Sequence, residues 1–304
     1  MIGAWASPFP DRGEPSVRAI GVDWSGARDP EAQRRHVWLA VVDGGELTEL
    51  SAGRTRRETI EWLVNDGERR GPGVGVRTIA GLDFSFGFPA WFARAQGCGT
   101  GPDSWYLAAL LGETWLRDCR QPFFGGRGTR RPVGAELYRE TERRVAAMAR
   151  VFPKSIFQLS GPGAVGPGSL RGMPLLTEVR ARGWAVWPFD AATSCTVAEV
   201  YPAFAVGRRD LASVATPEGR RCYADDRWPG CSARWPALVT SRDAFDAAAA
   251  AFFVAGSAGV PPPPAPFGSV AALEGEIWGV PVPASRPPGS GRGSNAFSEG
   301  SGGP

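Results

Sequence analysis

The sequence predicts an α/β domain, a five-stranded mixed sheet with helices on both faces. Two apolar runs, VRAIGVD at 17–23 and TIAGLD at 78–83, read as buried strands that each close on an aspartate and a turn. Between them lie two strand-like runs joined by Asp43-Gly44-Gly45, a strong hairpin turn, and then apolar residues at helical spacing. A helix that returns to a neighbouring parallel strand is the natural right-handed crossover. Asp23 and Asp83 are therefore expected side by side at one sheet edge.

Residues 1–15 mix prolines and charges without periodicity and read as a loose lead-in. After the first strand, 27–35 is polar, 36–42 (HVWLAVV) is a second strand and 46–50 a third. Ile60, Leu63 and Val64 mark a helix over 55–70. Further helices are expected over 103–118, 135–149, 173–182 and 240–256, and strands over 183–189 and 196–201. A charged stretch bearing Cys and Trp at 217–236 reads as an insertion, and 275–283 as a terminal turn or strand. From 284 on, Ser, Gly and Pro dominate, the composition of a disordered tail. The domain is thus expected over 16–283.

Hydrophobic residues make up 43% of the 304 residues, ordinary for a globular chain, and the formal charge of +3 neither demonstrates nor opposes a nucleic-acid partner. Lys154 is the only lysine, so arginine supplies the rest of the basic charge. Five cysteines (Cys98, Cys119, Cys195, Cys222, Cys231) form no CxxC pair, which points to reduced thiols rather than a disulfide framework or zinc site. Asp11, Arg12 and Glu14 stand where a signal peptide needs an apolar core, and the alanine-rich run 247–255 is too short to span a bilayer. A cytoplasmic protein without a membrane partner is the expectation.

A carboxylate at the end of a buried strand is costly unless paired or bound to a cation. Asp23 and Asp83 share the context apolar–Gly–apolar–Asp–aromatic–Ser, and two such carboxylates repel unless a divalent ion lies between them. In SRDAFDAAAAAFFVAG, Asp243 and Asp246 fall on one helix face, and the alanines let that helix lie close to a sheet. The competing reading is that aspartates in a first turn only compensate the helix dipole. Glu199, between Ala198 and Val200, either faces solvent on an edge or joins the acidic site. The glycine-rich loops 125–131 and 160–169 are either plain connections or phosphate cradles, the latter with Arg127, Arg130 and Arg131, and with Ser25 beside Asp23. Trp24, Phe84, Phe86 and Phe88 fit core packing better than base stacking, and Trp105 and Trp115 are most simply core.

Asp23 after an apolar strand, the hairpin, Asp83 on a later strand and the DxxDA from Asp243 to Ala247 together resemble the ribonuclease H-like superfamily, the last motif resembling Holliday-junction resolvases. More closely, GVDWSGA, GLDFSFGFP, SGPGAVGPGSLRGMPLL, AEVYP and RDAFDAAAAA are similar to an uncharacterised family of predicted ribonuclease H-like nucleases, over roughly 17–282. The resemblance implies a three-layer α/β/α fold with strand order 3-2-1-4-5. It implies two-metal hydrolysis of nucleic acid, with Mg²⁺ or Mn²⁺ held by Asp23, Asp83 and Asp246, and Asp243 or Glu199 completing the catalytic set. One departure is that no histidine adjoins the DxxD, where Arg242 stands instead. The sole histidine, His36, falls on an expected strand and reads as structural. A nucleotide phosphotransferase or ATPase of the actin and sugar-kinase type, or a non-catalytic nucleic-acid-binding module, are the alternative functions.

Overall fold

The computed structural model describes residues 16–70, 76–126, 128–133, 136–257 and 262–281. The expected lead-in (1–15), the expected tail (284–304) and Arg127 lie outside the described residues. In chain order the elements are β1 (Ser16–Asp23), α1 (Pro30–His36), β2 (Trp38–Asp43), β3 (Glu46–Ser51), α2 (Arg56–Arg70), β4 (Val76–Leu82), α3 (Ala90–Ala95), α4 (Gly101–Asp118), α5 (Glu140–Ala149), α6 (Gly166–Ala181), β5 (Ala185–Val186) and β6 (Cys195–Glu199), followed by α7 (Pro202–Val206), a 3-10 turn (Ser213–Ala215), α8 (Pro217–Arg227), α9 (Cys231–Arg234), α10 (Ala237–Thr240), α11 (Arg242–Ser257) and α12 (Val270–Glu274).

The strands form one mixed sheet in the order β3-β2-β1-β4-β6-β5. The β1–β2 and β2–β3 pairs are antiparallel, and β1, β4, β6 and β5 run parallel. The sheet holds six strands rather than five: the runs at 183–189 and 196–201, each expected as a strand, both join it, the former as a short edge strand beyond β6. Only two of its residues join the ladder. Pro188 has no N–H to donate, and Asp190 turns the chain back by accepting the Val186 N–H at 3.0 Å.

Other boundaries moved for local reasons. The polar stretch after β1 is a helix: Asp29 caps it by accepting the Ala32 N–H at 2.7 Å, and Pro30 occupies its first turn. His36 therefore ends α1, and the second strand starts at Trp38 rather than at 36. Helix α6 begins at Gly166, well before the expected 173, with Pro167 pre-set for its first turn and Leu170 and Met173 buried against the sheet. The stretch expected as an insertion folds into α8 and α9 and packs on α11 through Trp228, which stacks on Phe252 at 4.6 Å and touches Phe245 at 5.5 Å.

Alternation along the strands divides the core in two. Ile20, Val22, Leu39, Val41, Ala80, Leu82 and Val197 face a layer that includes residues of α2, α4 and α6. Ala19, Ala40, Val42, Ile79, Ala198 and Val200 face α11 and the α8–α10 segment. Helices thus cover both faces of the sheet, a three-layer α/β arrangement. Trp24, Phe84, Phe86, Phe88 and Trp105 are buried in the first layer, with Trp115 packed against them, as packing residues.

Candidate functional site

The site lies where β1 and β4 end. Gly21 pairs with Gly81 and Val22 with Leu82, and the Asp83 N–H donates to the Val22 carbonyl at 3.0 Å, so the ladder carries Asp83 into register beside Asp23. Asp23 shares the parity of Ala19 and Gly21, and Asp83 that of Ile79 and Gly81. Both therefore belong to the face covered by α11.

Glycine makes the third acid arrive. A Cβ on Gly21 would sit 2.1 Å from the Ala247 carbonyl oxygen and 2.4 Å from the Ala251 nitrogen, so any other residue would push α11 off the strand. The alanine run of α11 completes this close approach, with Ala247, Ala248, Ala250 and Ala251 fully buried. Asp246 immediately precedes the contact and is delivered to the carboxylate end of β1. Asp243 lies one turn earlier, at the rim.

Electrostatics tie these groups together. Burial first, then the charges of Asp83, Asp246 and Asp243, raise the Asp23 carboxyl well above the usual range, opposed by Arg242. Asp83 is raised by burial, then by Asp246 and Glu199. Asp246 is raised by burial despite its 2.7 Å ion pair from Arg242 Nε to Oδ2. Its Oδ1 is buried and has no hydrogen-bond partner. Neither the Asp23 nor the Asp83 carboxylate receives a hydrogen bond or ion pair among the described residues. Both are enclosed on most sides yet keep some exposed surface, so burial lifts their pKa while leaving a route from solvent.

His36 Nδ1 lies 2.9 Å from Asp243 Oδ2, and its side chain is 57% exposed. His36 thus ends α1 and does not lie on the expected strand. The end of α1 brings it to the DxxD helix across 207 residues of sequence, a pairing that no local spacing reveals.

Glu199 does not belong to the carboxylate face. It pairs with Leu82 across the β4–β6 ladder and so takes the opposite side of the sheet. There it is fully engaged: Arg139 Nη1 donates to Oε2 at 2.8 Å, Arg139 Nη2 donates to Oε1, and the Phe86 N–H donates to Oε2 at 2.9 Å. Arg139 is itself fully buried and also bridges Glu142. Of the two sequence readings of Glu199, neither holds: it is the anchor of a buried ion-pair network.

The two glycine-rich loops meet each other, through a Phe124–Gln158 bridge and a hydrogen bond from Ser160 Oγ to the Gly125 carbonyl. Arg130 is exposed there, and Arg131 is held against Tyr138 at 3.1 Å. Ser25 Oγ accepts the Ala27 N–H at 3.2 Å and so stabilises its own turn. The residues that shape this turn were not legible as such. Arg56 donates to the Ser25 and Ala27 carbonyls at 2.8 and 2.6 Å, and Arg171 donates to the Gly26 carbonyl at 2.5 Å.

Comparison of the chain with protein-family models, with curated proteins and with solved structures gives no match. Among the described residues no three His, Cys, Asp or Glu side chains are gathered closely enough to hold a metal ion as placed. The donor chemistry nonetheless suits a hard cation: oxygen donors alone, two carboxylates with no direct hydrogen-bond or ion-pair partner among the described residues, and an orphaned buried oxygen on a third. No described helix is long and apolar enough to cross a membrane.

Proposed function

We propose that this chain is a metal-dependent hydrolase of phosphodiester bonds in nucleic acid, built on a ribonuclease H-like sheet. The observation that carries the reading is the convergence of Asp23, Asp83 and Asp246 from three separate elements on one face, where burial raises all three carboxyls and neighbouring negative charges add to it. A protein keeps such an arrangement at a cost in stability, and a divalent cation relieves it.

Asp23 and Asp83 are the residues to hold Mg²⁺ or Mn²⁺, with Asp246 Oδ1 as the third donor. When bound, the ions supply Lewis-acid activation of water and charge relief at the scissile phosphate. The chain's own contribution is positional. Arg242 binds Oδ2 of Asp246, which fixes the carboxylate and leaves Oδ1 for the site. His36 orients Asp243 at the rim in the same way. The ladder between β1 and β4 holds Asp23 and Asp83 at a fixed backbone separation.

Calorimetric titration of Mg²⁺ and Mn²⁺ into the wild type and Asp23→Asn, followed by cleavage assays on labelled single- and double-stranded DNA, RNA and hybrids, tests the reading. Metal-dependent cleavage lost in Asp23→Asn is the expected result. ATP hydrolysis without nucleic-acid cleavage would replace it with a phosphotransferase. Metal binding with neither activity would leave a binding module.

A further inference from the structure

The turn that follows Asp23 has a second, basic side. Its carbonyls are held by Arg56 and Arg171, and Gly26 lies so close to the first turn of α6 that a Cβ there would sit 2.8 Å from the Gly168 nitrogen. Beside this turn is a cavity of about 500 Å³ lined by Arg28, Glu113, Leu116, Arg117 and Arg171. Its charge is unbalanced. Glu113 is taken up by Arg171 at 2.6 and 3.0 Å, and among the described residues Arg117 pairs only with the neighbouring Asp118. The Arg28 guanidinium makes no ion pair or hydrogen bond among the described residues. Behind the wall, Arg56 is buried and hydrogen-bonded to carbonyls alone, without a carboxylate. Four guanidiniums thus face two carboxylates, and burial with Arg171 nearby lowers the Arg56 pKa to about 10.

An arginine cluster of this kind matches phosphate oxygens, which guanidinium groups grip in a bidentate manner. Two further features point to a polymer rather than a small anion. The cavity opens five residues beyond Asp23, on the same connection that leaves the carboxylate site. On α4, Tyr106, Leu110, Glu113 and Arg117 fall within a narrow stripe, since steps of four, three and four residues return to nearly the same angle. Tyr106 and Leu110, 63% and 78% exposed, continue that stripe away from the cavity. Aromatic groups beside guanidiniums are what a single strand uses, bases on the rings and phosphates on the charges.

We propose that the Arg28–Arg117–Arg171 cavity binds backbone phosphates of a nucleic-acid strand and leads that strand to the Asp23 end of the sheet. The choice of polymer rests on the nuclease reading; the anion site itself does not.

The test is binding without turnover. Fluorescence anisotropy of labelled 20-nucleotide single-stranded DNA and RNA is followed in EDTA over a salt series, with wild type and Arg28→Ala/Arg117→Ala. Both arginines are on the surface, and melting curves check that the double variant remains folded. The expected result is at least a tenfold loss of affinity in the double variant and a salt dependence shallower by about 1.4, two single-strand phosphate contacts at roughly 0.7 each. Unchanged affinity and slope in the double variant would refute the cavity while leaving the nuclease reading intact if the wild type still cleaves. Loss of binding in the double variant of a protein that never cleaves would keep the cavity and remove the nuclease. Binding of inorganic phosphate or mononucleotides but no oligonucleotide would overturn the strand assignment, as would no binding at all.

Discussion

Asp83→Asn should make the metal-free protein more stable. Neighbouring strands lie about 4.8 Å apart, which places two carboxylates in register at roughly 5–6 Å. Unit charges at that separation repel by about 3 kcal/mol at an effective dielectric near 20. Arg242 and the exposed tips offset part of this, leaving an expected gain of about 1–3 kcal/mol when one charge becomes an isosteric amide. At about 2 °C per kcal/mol for a chain of this size, the melting temperature at pH 8 in EDTA should rise by about 2–6 °C. The pH dependence has a definite sign. Asp23 and Asp83 both have folded-state pKa values above the unfolded value near 3.9, so the folded state retains protons that the unfolded state has lost. Wild-type stability from these groups is present below about pH 4 and is lost as pH climbs through the folded pKa values. The advantage of the variant should therefore close at low pH and widen toward pH 8. Adding Mg²⁺ at ten times its Kd should stabilise the wild type by about 1.4 kcal/mol and the variant by less. Differential scanning calorimetry from pH 4 to 8, with and without metal, measures all of this. A variant no more stable than the wild type at pH 8 in EDTA, with a difference independent of pH, would refute the claim that these carboxylates repel.

Gly21→Ala should cost about 3 kcal/mol or more, because its Cβ would lie 2.1 Å from a backbone oxygen that cannot swing aside; urea denaturation reads this as a lower midpoint. Arg139→Met should cost about 3–5 kcal/mol by leaving Glu199 and Glu142 buried without a counter-charge, and adding Glu199→Met should recover part of the loss in the same assay. His36→Ala should shift stability by less than about 1 kcal/mol, since the pair with Asp243 is exposed, while metal-dependent cleavage falls roughly tenfold through loss of Asp243 orientation. A melting curve and a cleavage rate on the same preparation separate the two effects.

The sequence by itself determined the β1–β4 frame, since each apolar run ends on an aspartate in a matched setting, and the hairpin and crossover leave one sensible register. It also determined that the alanine-rich helix bearing Asp243 and Asp246 can approach a sheet closely. It did not determine which sheet face each acid would take. Glu199 reads from sequence as a plausible member of the cluster, yet a single step in strand register moves it to the other side, into the grip of Arg139. His36 and Asp243, the Arg56 and Arg171 clamp on the turn after Asp23, and the basic cavity arise from pairings 29 to 207 residues apart. Local patterning specifies periodicity and turns, because those depend on neighbouring residues. Partners brought together by crossovers depend on how layers stack, and only the tertiary structure decided them.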